Sequence, residues 1–199
     1  MGRIAGVVLR WVVVPLAGLG LGAAATPKLL ANFAGSGLAI TVGPWRTSTT
    51  IGSAAANPYI RAEIARTGLL ALNRSETSYF EARVDDEGRP LRAGCTYDLA
   101  GAAIAARWWS ITAYGDDFFL IPNNARRFAY SAAALQRAAD GSFTIALGPA
   151  PRGQNWLPTG DQGGGFNLLV RLYNPESDVA RDPGRAKLPS IKRVGGCAS

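Results

Sequence analysis

Residues 4–25, IAGVVLRWVVVPLAGLGLGAAA, are apolar throughout except for Arg10. A helix needs about 20 such residues to cross a bilayer core, so this run is long enough to span a membrane. It also leaves the remainder of the chain to fold on one side. Arg3 and Arg10 lie toward its N-terminal end. Positive charge is retained on the cytoplasmic side, and the long Arg10 stem can carry its charge to the interface. The expectation is a single-pass protein of a bacterial inner membrane, with residues 1–28 as a signal anchor and residues 29–199 as a periplasmic domain. A soluble reading is poor, because Pro15, Gly18, Gly20 and Gly22 would weaken such a helix in water. Ala23-Ala24-Ala25 sets a competing expectation of cleavage before Thr26. The length of the run and Arg10 within it favour the uncleaved anchor. Residues 29–45 are uncharged as well, but Asn32, Gly35, Ser36, Gly37 and Gly43 interrupt them, so Leu38 to Val42 reads as a first strand.

Beyond the run the pattern is that of many short strands. One segment departs from it. Asn57 can cap a helix with Pro58 at its first position, and Ile60, Ile64, Ala65, Leu69 and Leu72 follow at helical steps. This helix is expected to cover a sheet face. Thr77–Val84, Cys95–Ala100, Arg107–Tyr114, Phe118–Ile121, Phe128–Ser131, Ser142–Leu147 and Phe166–Tyr173 then read as strands, punctuated by turn residues such as Asp85-Asp86-Glu87-Gly88, with Asp140-Gly141 as a hairpin turn into Ser142–Leu147. In Arg107–Tyr114, Trp109, Ile111 and Ala113 share one face, and Trp108, Ser110, Thr112 and Tyr114 share the other. The fold class is mainly β: an antiparallel β-sandwich, jelly-roll-like, with one N-terminal amphipathic helix, preceded by a transmembrane helix.

Charge and composition remove several functions. Of the 21 basic residues, Arg3, Arg10 and Lys28 belong to the N-terminal segment. The other 18 face all 14 acids, a mild +4 without the concentrated basic stripe of a nucleic-acid binder. The chain has no histidine, which excludes Ser-His-Asp and Cys-His catalysis and histidine metal ligation. Two cysteines are too few for a cysteine metal site, so no metal and no cofactor are expected. In an oxidising compartment Cys95 and Cys197 are expected to pair. Their spacing rules out a C-x-x-C redox motif.

Several stretches carry a family likeness. They are Asn57-Pro58-Tyr59-Ile60-Arg61-Ala62, Gly88-Arg89-Pro90-Leu91, Ala106-Arg107-Trp108-Trp109-Ser110-Ile111-Thr112-Ala113-Tyr114, Ile121-Pro122-Asn123, Asn155-Trp156-Leu157-Pro158 and Phe166-Asn167-Leu168-Leu169-Val170-Arg171-Leu172-Tyr173. Through them residues 38–194 resemble the bacterial family known as domain of unknown function 1214. The resemblance implies a β-sandwich. It also implies that larger relatives carry a second uncharacterised domain ahead of this one. A short anchored chain would then work with an envelope partner that carries the companion domain. The family supplies no catalytic residues to transfer.

Three groups of residues are candidates for a site. Asn155 and Trp156 sit in a Gly- and Pro-rich loop, where a Trp can stack a ligand or plug the end of the domain. Arg171 is a polar residue in an apolar strand, with Tyr173 beside it. It can clamp a carboxylate or phosphate in two-pronged fashion, or pair with Glu76, Glu81 or Asp161. The carboxylates come third. Most of them (Asp85, Asp86, Glu87, Asp116, Asp117, Asp140, Asp182) fall in turns, leaving Glu76 and Glu81 on ordered structure. The expected function is a non-enzymatic, membrane-anchored binding or assembly module of the envelope. The alternative is an envelope hydrolase acting on glycan or lipid through paired carboxylates.

Overall fold

The computed structural model describes residues 9–35, 39–160 and 163–197. Residues 4–8 of the apolar run, Leu38 and Asp161 therefore lie outside the described residues. After a short π-helical turn at Leu9–Val13, helix α1 runs over Val14–Gly35. The stretch Arg10–Leu29 has a mean hydropathy of 1.4, and none of it is buried against the rest of the chain. By length and composition it can cross a membrane.

The alternating segments form two sheets. The first contains β1 (Ala39–Val42), β2 (Trp45–Ser48), β3 (Thr77–Ala82), β9 (Phe166–Pro175), β5 (Ala106–Gly115) and β6 (Ala129–Ser131), in that order and antiparallel throughout. The second contains β10 (Ser190–Arg193), β4 (Tyr97–Gly101), β7 (Phe143–Gly148) and β8 (Trp156–Pro158). It is mixed, because β8 runs parallel to β7. The two sheets share one core. Trp109 of β5 stacks on Phe143 of β7 with ring centroids 5.4 Å apart, and Phe166 of β9 meets Tyr97 of β4 edge to face at 5.8 Å. Phe80, Ile111, Leu168, Val170 and Leu172 enter that core from the first sheet, and Leu99, Ile145, Leu147, Leu157 and Ile191 from the second. The expected mainly β class is present, as two sheets with an apolar N-terminal helix.

Helix α2 spans Pro58–Arg66, with Asn57 Oδ1 accepting from the Ile60 amide at 2.9 Å. The cap and the Pro at the start are those expected. The helix is shorter than its periodicity suggests: Gly68 adopts φ +64° and ends it, so Leu69 and Leu72 leave the helical face. It also does not cover a sheet. Its main neighbour is α1, and Ile60 is its one buried residue.

Three further expectations are corrected. Phe118–Ile121 is not a strand. Gly115 to Phe119 close a tight turn (Phe118 N to Gly115 O and Gly115 N to Phe119 O, both 2.9 Å), and Phe118 takes φ +66°. Only an isolated bridge between Tyr114 and Leu120 remains. Asp140-Gly141 turns the chain but joins no hairpin, since β6 pairs with β5 and β7 with β4. The Asn155-Trp156-Leu157-Pro158 loop contains strand β8. A three-residue strand is too short to show alternation, and its parallel partner lies elsewhere in the chain.

The second sheet is closed at its edge by side chains. Cys95 and Cys197 form a disulfide that fastens the tail beside β4. Asp85, buried at 2% exposure, accepts from the amides of Glu87 (3.0 Å) and Arg89 (2.9 Å) and from Arg89 Nε (2.8 Å). Its neighbour Asp86 accepts from the Ile191 amide of β10 at 3.0 Å. Burial by itself would raise the Asp85 pKa, but the Arg89 and Glu87 amides and the Arg89 guanidinium together hold it below the ordinary carboxylate value. A depressed folded pKa means stability that is fully present above the unfolded pKa, about 3.9, and lost as pH falls through the folded value. The Asp85→Asn variant should be less stable at neutral pH and should lose less further stability below about pH 4. Urea midpoints measured across that range check it, and parallel acid limbs for variant and wild type would refute it.

Candidate functional site

The inward faces of β3, β9 and β5 are apolar, so period-2 alternation sends the intervening side chains to the outside of the first sheet. The register aligns them in rows. Tyr79, Arg171 and Ser110 form one row, with Ser131 continuing it. Thr77, Tyr173 and Trp108 form the next. Arg171 sits on β9, with β3 on one side and β5 on the other.

The bonding of Arg171 is unusual for a half-buried cation. Its Nη2 donates to Tyr114 Oη at 2.8 Å and its Nη1 to Thr112 Oγ1 at 3.2 Å. The guanidinium also lies 5.7 Å from the Tyr114 ring centroid. No ion pair among the described residues includes it; Glu81, on the same face, is taken by Arg83 at 2.7 Å. The guanidinium is thus held in place by neutral hydroxyls that use only part of its five-donor fork. Next to it Tyr173 and Trp108 pack with ring centroids 5.0 Å apart, and Trp108 keeps 39% of its surface exposed. In the same row, Thr77 Oγ1 is buried and has no hydrogen-bond partner. The segment after α2 covers the β3 side of this face, with the Leu72 amide donating to Tyr79 Oη at 2.8 Å. The arrangement is suited to hold an anion against an aromatic pair.

The second sequence candidate lies elsewhere. Trp156 and Asn155 belong to the second sheet, so the structure does not bring them to Arg171 and Tyr173. Asn155 is 5% exposed and its amide is occupied: Oδ1 accepts from the Gln136 amide, and Nδ2 donates to the carbonyls of Gln136 and Thr144. Trp156 Nε1 donates to Gly148 O at 3.0 Å. Both side chains tie β8 and the 136 loop to β7.

The carboxylates are mostly engaged. Glu63 pairs with Arg66, Glu87 with Arg89 and Asp98 with Arg152. Asp116 accepts from the Gly165 amide, Asp117 from Phe119, Asp140 from Ser142 and Asp182 from Gly184. A recess of about 240 Å³ between Arg83, Arg92 and Asp116 contains one acid. Asp140, like Asp85, has a lowered pKa, here through the Ser142 hydroxyl and amide. That is the wrong direction for a general acid. Among the described residues no cluster of three or more metal-ligating side chains occurs.

Sequence reasoning found Arg171 and Tyr173 but not their partners Tyr114, Thr112 and Trp108. Alternation in Arg107–Tyr114 does place those residues on one face. What it lacks is the pairing of β5 with β9, which brings that face to Arg171.

Comparison with known proteins bears on these strands directly. No curated protein matches the chain. Solved structures do match, the following two among them. One is the VPA0106 protein from Vibrio parahaemolyticus, 26% identical, with a TM-score of 0.56 over 68% of this chain. The match spans 35% of the Vibrio chain, so this chain matches about a third of that protein's length. The other is a putative uncharacterized protein from Burkholderia cenocepacia, 22% identical, with a TM-score of 0.40, covering 60% of this chain and 29% of that one. Residues 76–177, which contain β3 to β9 and Arg171 with its partners Tyr114 and Thr112, match the model of the family described as Protein of unknown function (DUF1214), and the chain belongs to that family.

Proposed function

We propose that this chain is a membrane-anchored module of the bacterial envelope that binds a ligand or partner without transforming it. Its ligand would be an anion, a carboxylate or phosphate carrying an apolar or ring portion, received on the outer face of the first sheet. The observation that carries this reading is Arg171: a half-buried guanidinium whose partners among the described residues are the Tyr114 and Thr112 hydroxyls, beside the half-open Trp108–Tyr173 pair. A charge-assisted fork on a carboxylate or phosphate would satisfy the remaining donors. In this reading the two sheets act as a β-sandwich scaffold. Helix α1 is the single-pass anchor and, by the positive-inside bias of Arg3 and Arg10, the domain faces the periplasm. The Cys95–Cys197 disulfide suits that oxidising compartment. An envelope partner carrying the companion domain belongs to the same proposal; the fold shared with the Vibrio protein occupies 35% of that longer chain. No observation favours the hydrolase alternative, because most of the acids are engaged in turns and ion pairs.

Thermal shift tests the reading with inorganic phosphate, acetate and benzoate as probes. At about a hundred times its dissociation constant, a ligand of the folded state contributes about 2.7 kcal/mol, or roughly 5–10 °C for a domain of this size. Benzoate is expected to give the largest rise, and Arg171→Gln to abolish it. Absence of any rise in the wild type, or an equal rise in the variant, would defeat the proposal.

A further inference from the structure

The turn after β5 uses a strained backbone to expose apolar side chains. Phe118 occupies the left-handed region at φ +66°, where a bulky residue is rarely found. The turn is held by its two backbone bonds and by Asp117 Oδ1, which accepts from the Phe119 amide at 3.0 Å. The Phe118 ring folds inward beneath two cations, with the Arg66 and Arg83 guanidinium carbons 4.9 and 5.1 Å from its centroid. Phe119 and Leu120 are left outside, 74% and 44% exposed.

The position of this turn gives the exposure a meaning. Arg66 is the last residue of α2, and α2 packs against α1, the helix able to span a membrane. Leu70, four residues beyond Arg66, is 92% exposed. Three large apolar side chains thus lie within a few residues of Arg66 or of the Phe118 ring beneath it, at the end of a short helix that neighbours α1. A single exposed apolar residue is ordinary on a protein surface. Three of them beside such a helix, two presented by a strained turn, are not accounted for by the core.

We propose that Phe119, Leu120 and Leu70 insert into the surface of the phospholipid bilayer that α1 enters, so that the domain rests on the membrane by this corner. The proposal rests on the reading of α1 as an anchor. The contact is apolar. Glu63 pairs with Arg66 and Glu81 with Arg83, and Asp116 and Asp117 lie in the turn before Phe118, so the corner carries no surplus of positive charge to attract anionic lipid. Aromatic and aliphatic side chains partition into the headgroup and acyl boundary without it.

The full chain, reconstituted in vesicles of phosphatidylethanolamine and phosphatidylglycerol without reductant, provides the test. Phe119→Cys, Leu120→Cys and Leu19→Cys are each labelled at the new thiol with an environment-sensitive fluorophore. Leu19 lies in α1 and reports insertion of the anchor. A side chain at the headgroup boundary penetrates roughly 5–10 Å, so lipids spin-labelled near the headgroup should quench the Phe119 and Leu120 probes about twofold or more. Deeper spin labels should quench the Leu19 probe, and high salt should leave all three signals unchanged. Quenching at Leu19 but not at Phe119 or Leu120 overturns the lipid contact and leaves the anchor standing. A blue-shifted but unquenched Phe119 probe assigns the corner to a protein neighbour and overturns it as well. Loss of the signal in salt would mean an electrostatic contact, also contrary to the proposal. Absence of quenching at all three positions overturns the anchor and the contact together.

Discussion

Cys197→Ser is expected to cost about 4–5 kcal/mol, the chain-entropy value for a closed loop of about 100 residues. The bridged cysteines are 102 residues apart. For a domain of this size the loss corresponds to a fall in Tm of about 10–15 °C. Cys197 is the better of the two to change. Cys95 is completely buried, so a serine there would add the penalty of a buried hydroxyl, whereas Cys197 is exposed. The tail has few other ties. The Val194 amide donates to Thr96 O at 3.0 Å, and a side chain at Gly195 would crowd Thr96. Most of the effect should therefore come from a looser unfolded ensemble and a frayed tail. Urea unfolding of the variant, compared with wild type with and without reductant, checks it. Reduced wild type should match the variant, and equal midpoints for variant and oxidised wild type would show that the bridge does not constrain the chain as described.

The second large effect separates two adjacent tryptophans. Trp109 is 2% exposed, stacks on Phe143 between the sheets, and has Arg137 over its ring at 6.0 Å. Trp109→Ala should cost about 3–5 kcal/mol, the range for removing a large buried aromatic. Trp108, one residue away, points to the other face and keeps 39% of its surface in water. Trp108→Ala should cost about 1 kcal/mol, while opening the aromatic pair beside Arg171. Denaturant midpoints with a shared slope give both values. Similar costs for the two variants would contradict the assignment of faces on β5.

That pair marks how far a sequence can be read. Alternation in Arg107–Tyr114 predicts the inward set Trp109, Ile111 and Ala113, and all three are buried. The Asn57 cap and Pro58 start of α2 are equally local, and both are present. Strands such as β2, β8 and β10 hold too few residues for a periodic signal, whereas β1 and β6, equally short, are legible from their composition and flanking turn residues. The Phe118 turn resisted reading because Phe118-Phe119-Leu120-Ile121 has strand-like composition. Its conformation comes from the Asp117 cap and from the two arginines that attract the ring.

For the candidate site the division is sharper. Arg171 stands out in sequence as a charge within an apolar strand. Whether it would meet an acid was open among Glu76, Glu81 and Asp161, the last of which lies outside the described residues. The tertiary structure gave Glu81 to Arg83 and left Arg171 with Tyr114 and Thr112.

By itself the sequence determined the apolar run able to span a membrane, the two faces of the long strands and the absence of histidine chemistry. These follow from composition and from the covalent two-residue period of a strand. Only the tertiary structure decided that β9 lies between β3 and β5, that α2 docks on α1, and that Phe119 and Leu120 face outward. Such choices are non-local: a face seeks burial, but which strand buries it depends on competition among all the others.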